Sequence, residues 1–116
     1  MDIYNAWFDL KPGVSDIEFC KRLAFYMDSL KDGGQMQSWR LMRRKLGLAP
    51  SWSTDFHLVM EFKDMAQLDA AFNRVGGRRE PIETLHFGVN SSVQNVTFAL
   101  YRDFPDPVRH HGEEKF

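Results

Sequence analysis

The sequence predicts an α+β domain in which a four-stranded, largely antiparallel sheet carries its helices on one face, in the order βαββα(α)β. Three observations predict it. Four segments alternate apolar and polar residues with the period of a strand, and segments between them repeat apolar residues at helical spacing. The length of 116 residues is one domain's worth of chain. Folding at that size buries roughly 65% of the surface of the unfolded chain, enough for one core without staples. Residues 1–104 are read as a single domain and 105–116 as a polar tail.

The first strand spans residues 3–10, with Tyr4, Ala6, Phe8 and Leu10 on one face and Ile3, Asn5, Trp7 and Asp9 on the other. Pro12-Gly13 closes it as a turn. Ser15 with Glu18 three residues later forms a capping box at a helix start. Ile17, Cys20, Leu23, Ala24, Met27 and Leu30 then recur as a stripe, with Phe25 on the opposite, charged side. Gly33-Gly34 supplies a residue able to turn left-handed at the helix end.

A second strand is expected within residues 35–45, with Met36, Ser38, Arg40 and Met42 on one face and Gln37, Trp39 and Leu41 on the other. Residues 47–53 form a loop. The third strand, 55–63, is the clearest, because Phe56, Leu58, Met60 and Phe62 alternate with His57, Val59, Glu61 and Lys63. Asp64 caps a second helix whose stripe is Met65, Leu68, Ala71, Phe72 and Val75, ended by Gly76-Gly77. Pro81 suits a first helical position, and Ile82, Leu85, Val89 and Val93 continue at helical spacing as a third helix. The last strand, 95–102, sets Val96, Phe98 and Leu100 against Thr97, Ala99 and Tyr101.

The apolar floor beneath the helices is therefore Tyr4, Phe8, Phe56, Leu58, Met60, Phe62, Phe98 and Leu100. The opposite face carries Ile3, Trp7, Val59, Ala99 and Tyr101 among polar groups, where a face meeting water would be polar. An apolar patch of that kind marks an interaction site, and a second copy across a two-fold axis is the simplest cover. A homodimer is expected.

This layout, over residues 3–102, resembles the dimeric α/β-barrel superfamily, in which two ferredoxin-like subunits pack sheet against sheet. The superfamily includes the antibiotic-biosynthesis-monooxygenase-like and stress-responsive A/B-barrel families. The resemblance implies a fold and leaves the activity open, because that fold hosts many functions.

Candidate chemistry gathers on the mixed sheet face. Asn5, Trp7, Arg40, His57, Glu61 and Tyr101 offer rings for stacking and polar groups for orientation, as a planar aromatic ligand requires. Cofactor-free monooxygenases among the resembling families position a phenolic substrate with such residues, which implies roles for Asn5, Trp7 and, more loosely, Tyr101. The competing reading is a hydrogen-bonded polar seam of the dimer, with Arg40 and Glu61 paired. His86 lies on the apolar side of the third helix. Haem-degrading members of the superfamily combine a helical histidine with an Asn and a Trp, which His86, Asn5 and Trp7 would imitate. A core histidine bonded to a backbone carbonyl is the preferred alternative.

Other classes are argued against. His57, His86, His110 and His111 lack metal-site spacing, and no C-x-x-C or H-x-x-x-H occurs, so no metal or cofactor is expected. A net charge of −1 opposes a generic nucleic-acid or anionic-membrane binder. RRM domains share the element order, but residues 55–62 hold no glycine and place His57 and Val59 at the stacking positions. The single cysteine, Cys20, sits on the predicted apolar stripe as a buried thiol and suits a reducing compartment. With no signal-like or membrane-spanning segment, a cytoplasmic location is expected. The leading expectation is a binding or structural homodimer of unassigned function, with a small aromatic molecule as its candidate ligand. A cofactor-independent monooxygenase-like enzyme acting on a small aromatic or polyketide-like substrate is the alternative, and haem binding a distant third.

Overall fold

Alternation along the chain becomes a four-stranded antiparallel sheet in the computed structural model, which describes residues 1–108 and 111. In chain order the elements are β1 (Asp2–Leu10), α1 (Asp16–Asp32), β2 (Ser38–Arg43), β3 (Phe56–Phe62), α2 (Met65–Gly76), α3 (Ile82–Asn90) and β4 (Val93–Arg102). The strands lie in the order β2-β3-β1-β4, so the first and third strands are central and the second and fourth are edges. This is the ferredoxin-like α+β arrangement.

Caps fix the helix starts. The Ser15 hydroxyl accepts from the Glu18 amide at 3.4 Å, and an Asp64 carboxylate oxygen accepts from the Gln67 amide at 2.9 Å. Gly34 turns left-handed after α1 with φ +81. After α2 that conformation falls on Arg78 (φ 50), since Gly77 stays right-handed.

Register places Tyr4 opposite Met60 and Leu100, and Ala6 opposite Leu58 and Phe98, so these side chains share the helix-facing side. The β1–β4 pairing shifts between Trp7 and Asp9, where Asn95 adopts φ 57 as a bulge. The Asn95 amide donates to Asp9 at 3.1 Å and holds it. The extra residue resets the alternation, so Val93 and Val96 both reach the helix side. Val93 thus belongs to β4, where the helical spacing had assigned it to the third helix.

The core is closed by Phe19, Leu23, Met27 and Leu30 of α1 over Phe8, Phe56 and Phe62. The buried stripe of α1 is rotated from the predicted one toward Phe19 and Tyr26, which leaves Ile17 64% exposed and Cys20 at the surface. The expectation of a buried Cys20 thiol is therefore corrected. A second correction concerns β4. Phe98 and Leu100 point to the helix side as expected, yet they are 57% and 49% exposed. Three helices roof the inner strands, and none lies fully over this edge strand. Of the tail, residues 105–108 are described and surface-facing apart from the half-buried Asp106. His110 and the remainder of the polar tail, apart from His111, lie outside the described residues.

Candidate functional site

A cavity of about 250 Å³ lies between the sheet and the three helices. Its floor is Tyr4, Ala6 and Phe8 of β1 with Leu58 and Met60 of β3. The roof comes from Leu23, Tyr26 and Met27 of α1, with Ala71 and Val75 of α2. His86 and Val89 of α3 close one side, and the uncovered edge strand leaves Val96 and Phe98 at the mouth.

Four polar-headed side chains, Tyr4, Tyr26, His86 and Asn90, interrupt this apolar lining. Tyr26 and His86 meet edge to face at 5.6 Å between ring centres. Tyr4 stands at the mouth between two rings, stacked on Phe98 at 5.4 Å and edge-on to Phe72 at 5.3 Å. None of the four side chains makes a hydrogen bond within the described residues. Burial, with a smaller contribution from the charge of Tyr4, pushes the Tyr26 phenol up to about 12. Burial also raises the Tyr4 phenol. No Asp, Glu, Lys or Arg lines the cavity. The arrangement can hold an uncharged apolar ring and offer phenolic O–H donors to it, and it has no permanently charged group to pair with an ion.

The residues singled out from the sequence divide between the two sides of the sheet. His86 faces the cavity. Asn5, Trp7, Arg40, His57, Glu61 and Tyr101 share the outer face, as register shows in the pairs Trp7–His57, Asn5–Val59 and Ile3–Tyr101. The sheet therefore stands between His86 and the Asn5–Trp7 pair, and one chain does not gather that trio around a single group.

On the outer face four residues form one array. The Asn5 side chain, 7% exposed, donates its amide to the Ile3 carbonyl at 3.2 Å. Its oxygen thus faces His57 and accepts from Nε2 at 2.9 Å, leaving Nδ1 as the unprotonated nitrogen. The indole of Trp7 stacks on that imidazole at 4.5 Å and meets Trp52 edge-on at 5.3 Å. Burial lowers the His57 pKa. Arg40 and Glu61 do not pair: the Ser38 hydroxyl donates to Glu61 at 2.9 Å, and Arg40 is exposed.

Sequence reasoning missed Tyr26 as a site residue and treated Tyr4 as floor. The signal was present, because Tyr26 falls three residues after Leu23 and seven after Phe19, on the buried stripe itself. Among the described residues no group of three or more His, Cys, Asp or Glu is placed to hold a metal ion. No helix among them is long and apolar enough to cross a membrane.

With the fold and the cavity described, the similarities to known proteins become informative. The fold places the chain among ferredoxin-like domains, and the family model that matches residues 1–116 is a family of unknown function, DUF6614. The chain belongs to that family. No curated protein matches it in sequence. Among solved structures it is similar to a variant of SnoaB, a cofactor-independent oxygenase from Streptomyces nogalater. That match has TM-score 0.68 and 8% identity over 93% of this chain and 97% of the other. It is similar to an antibiotic biosynthesis monooxygenase at TM-score 0.62 and 19% identity, covering 90% of this chain and 100% of that one. A dimeric ferredoxin-like protein of unknown function from Jannaschia sp. CCS1 matches at TM-score 0.64 and 11% identity, over 89% and 100% of the two chains. At these identities the likeness is one of fold.

Proposed function

We propose that the protein is a homodimer, joined through the outer face of its sheet, that holds a small ring-bearing molecule in the cleft between sheet and helices. The observation that carries this reading is the uncharged cavity of about 250 Å³, open at an aromatic mouth. In this reading Asn5, Trp7, Arg40, His57, Glu61 and Tyr101 belong to the interface, and His86, Tyr26 and Tyr4 belong to the ligand.

Surface area supports the second copy. A compact monomer of 13.6 kDa exposes about 6,600 Å², whereas this chain exposes 8044 Å². Part of the excess lies on the exposed residues 103–105, 107 and 108, and a standard interface buries ~800 Å² from each partner. The molecule is a slab with extents of 54 × 38 × 18 Å, one sheet and one helix layer thick. Trp7, Met42, Val59 and Ala99 are only half covered on the bare side. Structural neighbours described as dimeric support the same reading. The single-domain reading of residues 1–104 is kept, and an exposed lone cysteine suits the cytoplasm.

Native mass spectrometry of the protein as purified tests both parts. The expected mass is twice the chain plus a small adduct, and Ala71→Phe, which puts a ring into the cavity, removes the adduct and keeps the dimer. Trp7→Arg is expected to give monomer or aggregate, because a charge would sit unpaired in the seam. A stable wild-type monomer at micromolar concentration overturns the dimer, and an adduct that survives Ala71→Phe overturns the cleft.

A second reading, a cofactor-independent monooxygenase-like enzyme acting on a small aromatic or polyketide-like substrate, is favoured by the fold shared with SnoaB along almost the entire chain. Oxygen uptake with a panel of phenols separates it from pure binding. Uptake abolished by Ala71→Phe supports the enzyme, and no uptake with any member leaves binding alone.

A further inference from the structure

We infer that the cleft is built for a neutral, fused two-ring carbonyl compound whose oxygen is held by the hydroxyls of Tyr4 and Tyr26. This rests on the reading of the cleft as a ligand site and specifies what that site selects.

Charge comes first. The lining contains no Asp, Glu, Lys or Arg, and its one basic group is the His86 imidazole, so an ion entering it would shed its hydration shell with no permanent countercharge in return. A carboxylate or phosphate is therefore a poor occupant.

Hydrogen-bonding capacity comes second. Tyr4 and Tyr26 face one cavity, and neither hydroxyl is engaged by the protein among the described residues. The two phenols are close enough for the charge of one to raise the pKa of the other. With its ionisation pushed up to about 12, Tyr26 remains an O–H donor at any physiological pH. Two donors on the lining of one cavity, from β1 and α1, can be satisfied together by one oxygen with two lone pairs, and a carbonyl is that group. The edge-to-face contact with His86 at 5.6 Å fixes the Tyr26 ring in this orientation.

Size and shape come third. A dry apolar cavity of about 150 Å³ holds benzene. Scaled to the 250 Å³ here, the occupant has about ten non-hydrogen atoms, the size of two fused rings. The stacked Tyr4–Phe98 pair, with interplanar angle 9°, offers a flat wall at the mouth for such a ring.

Three probes on one skeleton test the inference: β-tetralone, tetralin and the matching tetralin carboxylate. Titration followed by the shifts of cleft-residue amide resonances reads affinity for each. The ketone is expected to bind at least tenfold more tightly than the hydrocarbon and than the carboxylate. Tyr26→Phe is expected to erase the advantage of the ketone while leaving tetralin affinity unchanged, a split that general damage to the fold would not produce. Tyr4→Phe repeats the test from the other donor. Equal binding of ketone and hydrocarbon, or a carboxylate as tight as the ketone, overturns the inference and leaves the cleft as an apolar site. No shift with any probe overturns the cleft reading and the inference with it.

Discussion

Replacing Tyr26 with Phe removes one oxygen from the roof of the cavity, and the structure sets the sign of the outcome for the unliganded protein. That hydroxyl has no partner among the described residues, so no hydrogen bond is lost. What disappears is the cost of holding a poorly solvated O–H in an apolar lining, about 1–3 kcal/mol where such a group is dry. The cavity is open at its mouth, so water offsets much of that cost. The expected change lies between no effect and a gain of about 1 kcal/mol. Unfolding entropy near 2.1 cal/mol/K per residue amounts to about 0.24 kcal/mol/K for this chain, so the upper bound corresponds to a rise in Tm of about 4 °C. Urea titration at neutral pH, with an unchanged m value as the check on two-state behaviour, measures it directly. A loss of more than about 1 kcal/mol would refute the reasoning, because it would mean that the hydroxyl is satisfied inside the folded protein. The same substitution weakens ketone binding, so stability and affinity move in opposite directions.

Further outcomes follow from the same geometry. A spectrophotometric titration in alkali should show one phenol ionising only near pH 12; because the unfolded chain releases that proton first, stability falls between pH 10 and about 12 by about 1.4 kcal/mol per pH unit. Tyr26→Phe removes most of that slope, the raised Tyr4 phenol keeping a smaller part, and three phenols titrating together near 10 would contradict it. Phe19→Ala, at a fully buried ring in edge contact with Phe8 at 5.6 Å, should cost about 3–5 kcal/mol in urea midpoints at constant m. In acid, His57 has the opposite dependence to Tyr26. Its folded pKa lies below 6.5, so the unfolded chain takes up the proton first. Its contribution is complete above pH 6.5 and is lost as pH falls through the lower folded value. Stability curves for wild type and His57→Gln should converge on acidification, and a constant gap would show that His57 does not titrate differently on folding.

Most of the architecture was legible in the chain because it is written in local periodicity. The alternation of residues 56–62 fixed both the strand and its core face, and Ser15 and Asp64 marked helix starts that their side chains then cap. The grouping of Asn5, Trp7, His57, Glu61, Arg40 and Tyr101 on one face also followed from alternation, since a period of two leaves only one consistent register. The Asn5–His57 hydrogen bond and the Trp7 stack were not legible, because they depend on which strands are neighbours.

What only the tertiary structure decided is how completely one element covers another. Periodicity names the face that an element turns inward, and it is silent on whether anything is packed there. Phe98 and Leu100 turn inward on an edge strand that the helices do not fully roof, so a predicted floor became a mouth. A rotation of α1 exposed Cys20 and brought Tyr26 over the sheet, and the bulge at Asn95 added Val93 to the cavity wall. Each of these depends on how neighbouring elements meet and is invisible in a pattern of residue types. Together they place an apolar cavity and four polar heads on the opposite side of the sheet from most of the residues that the sequence had made conspicuous.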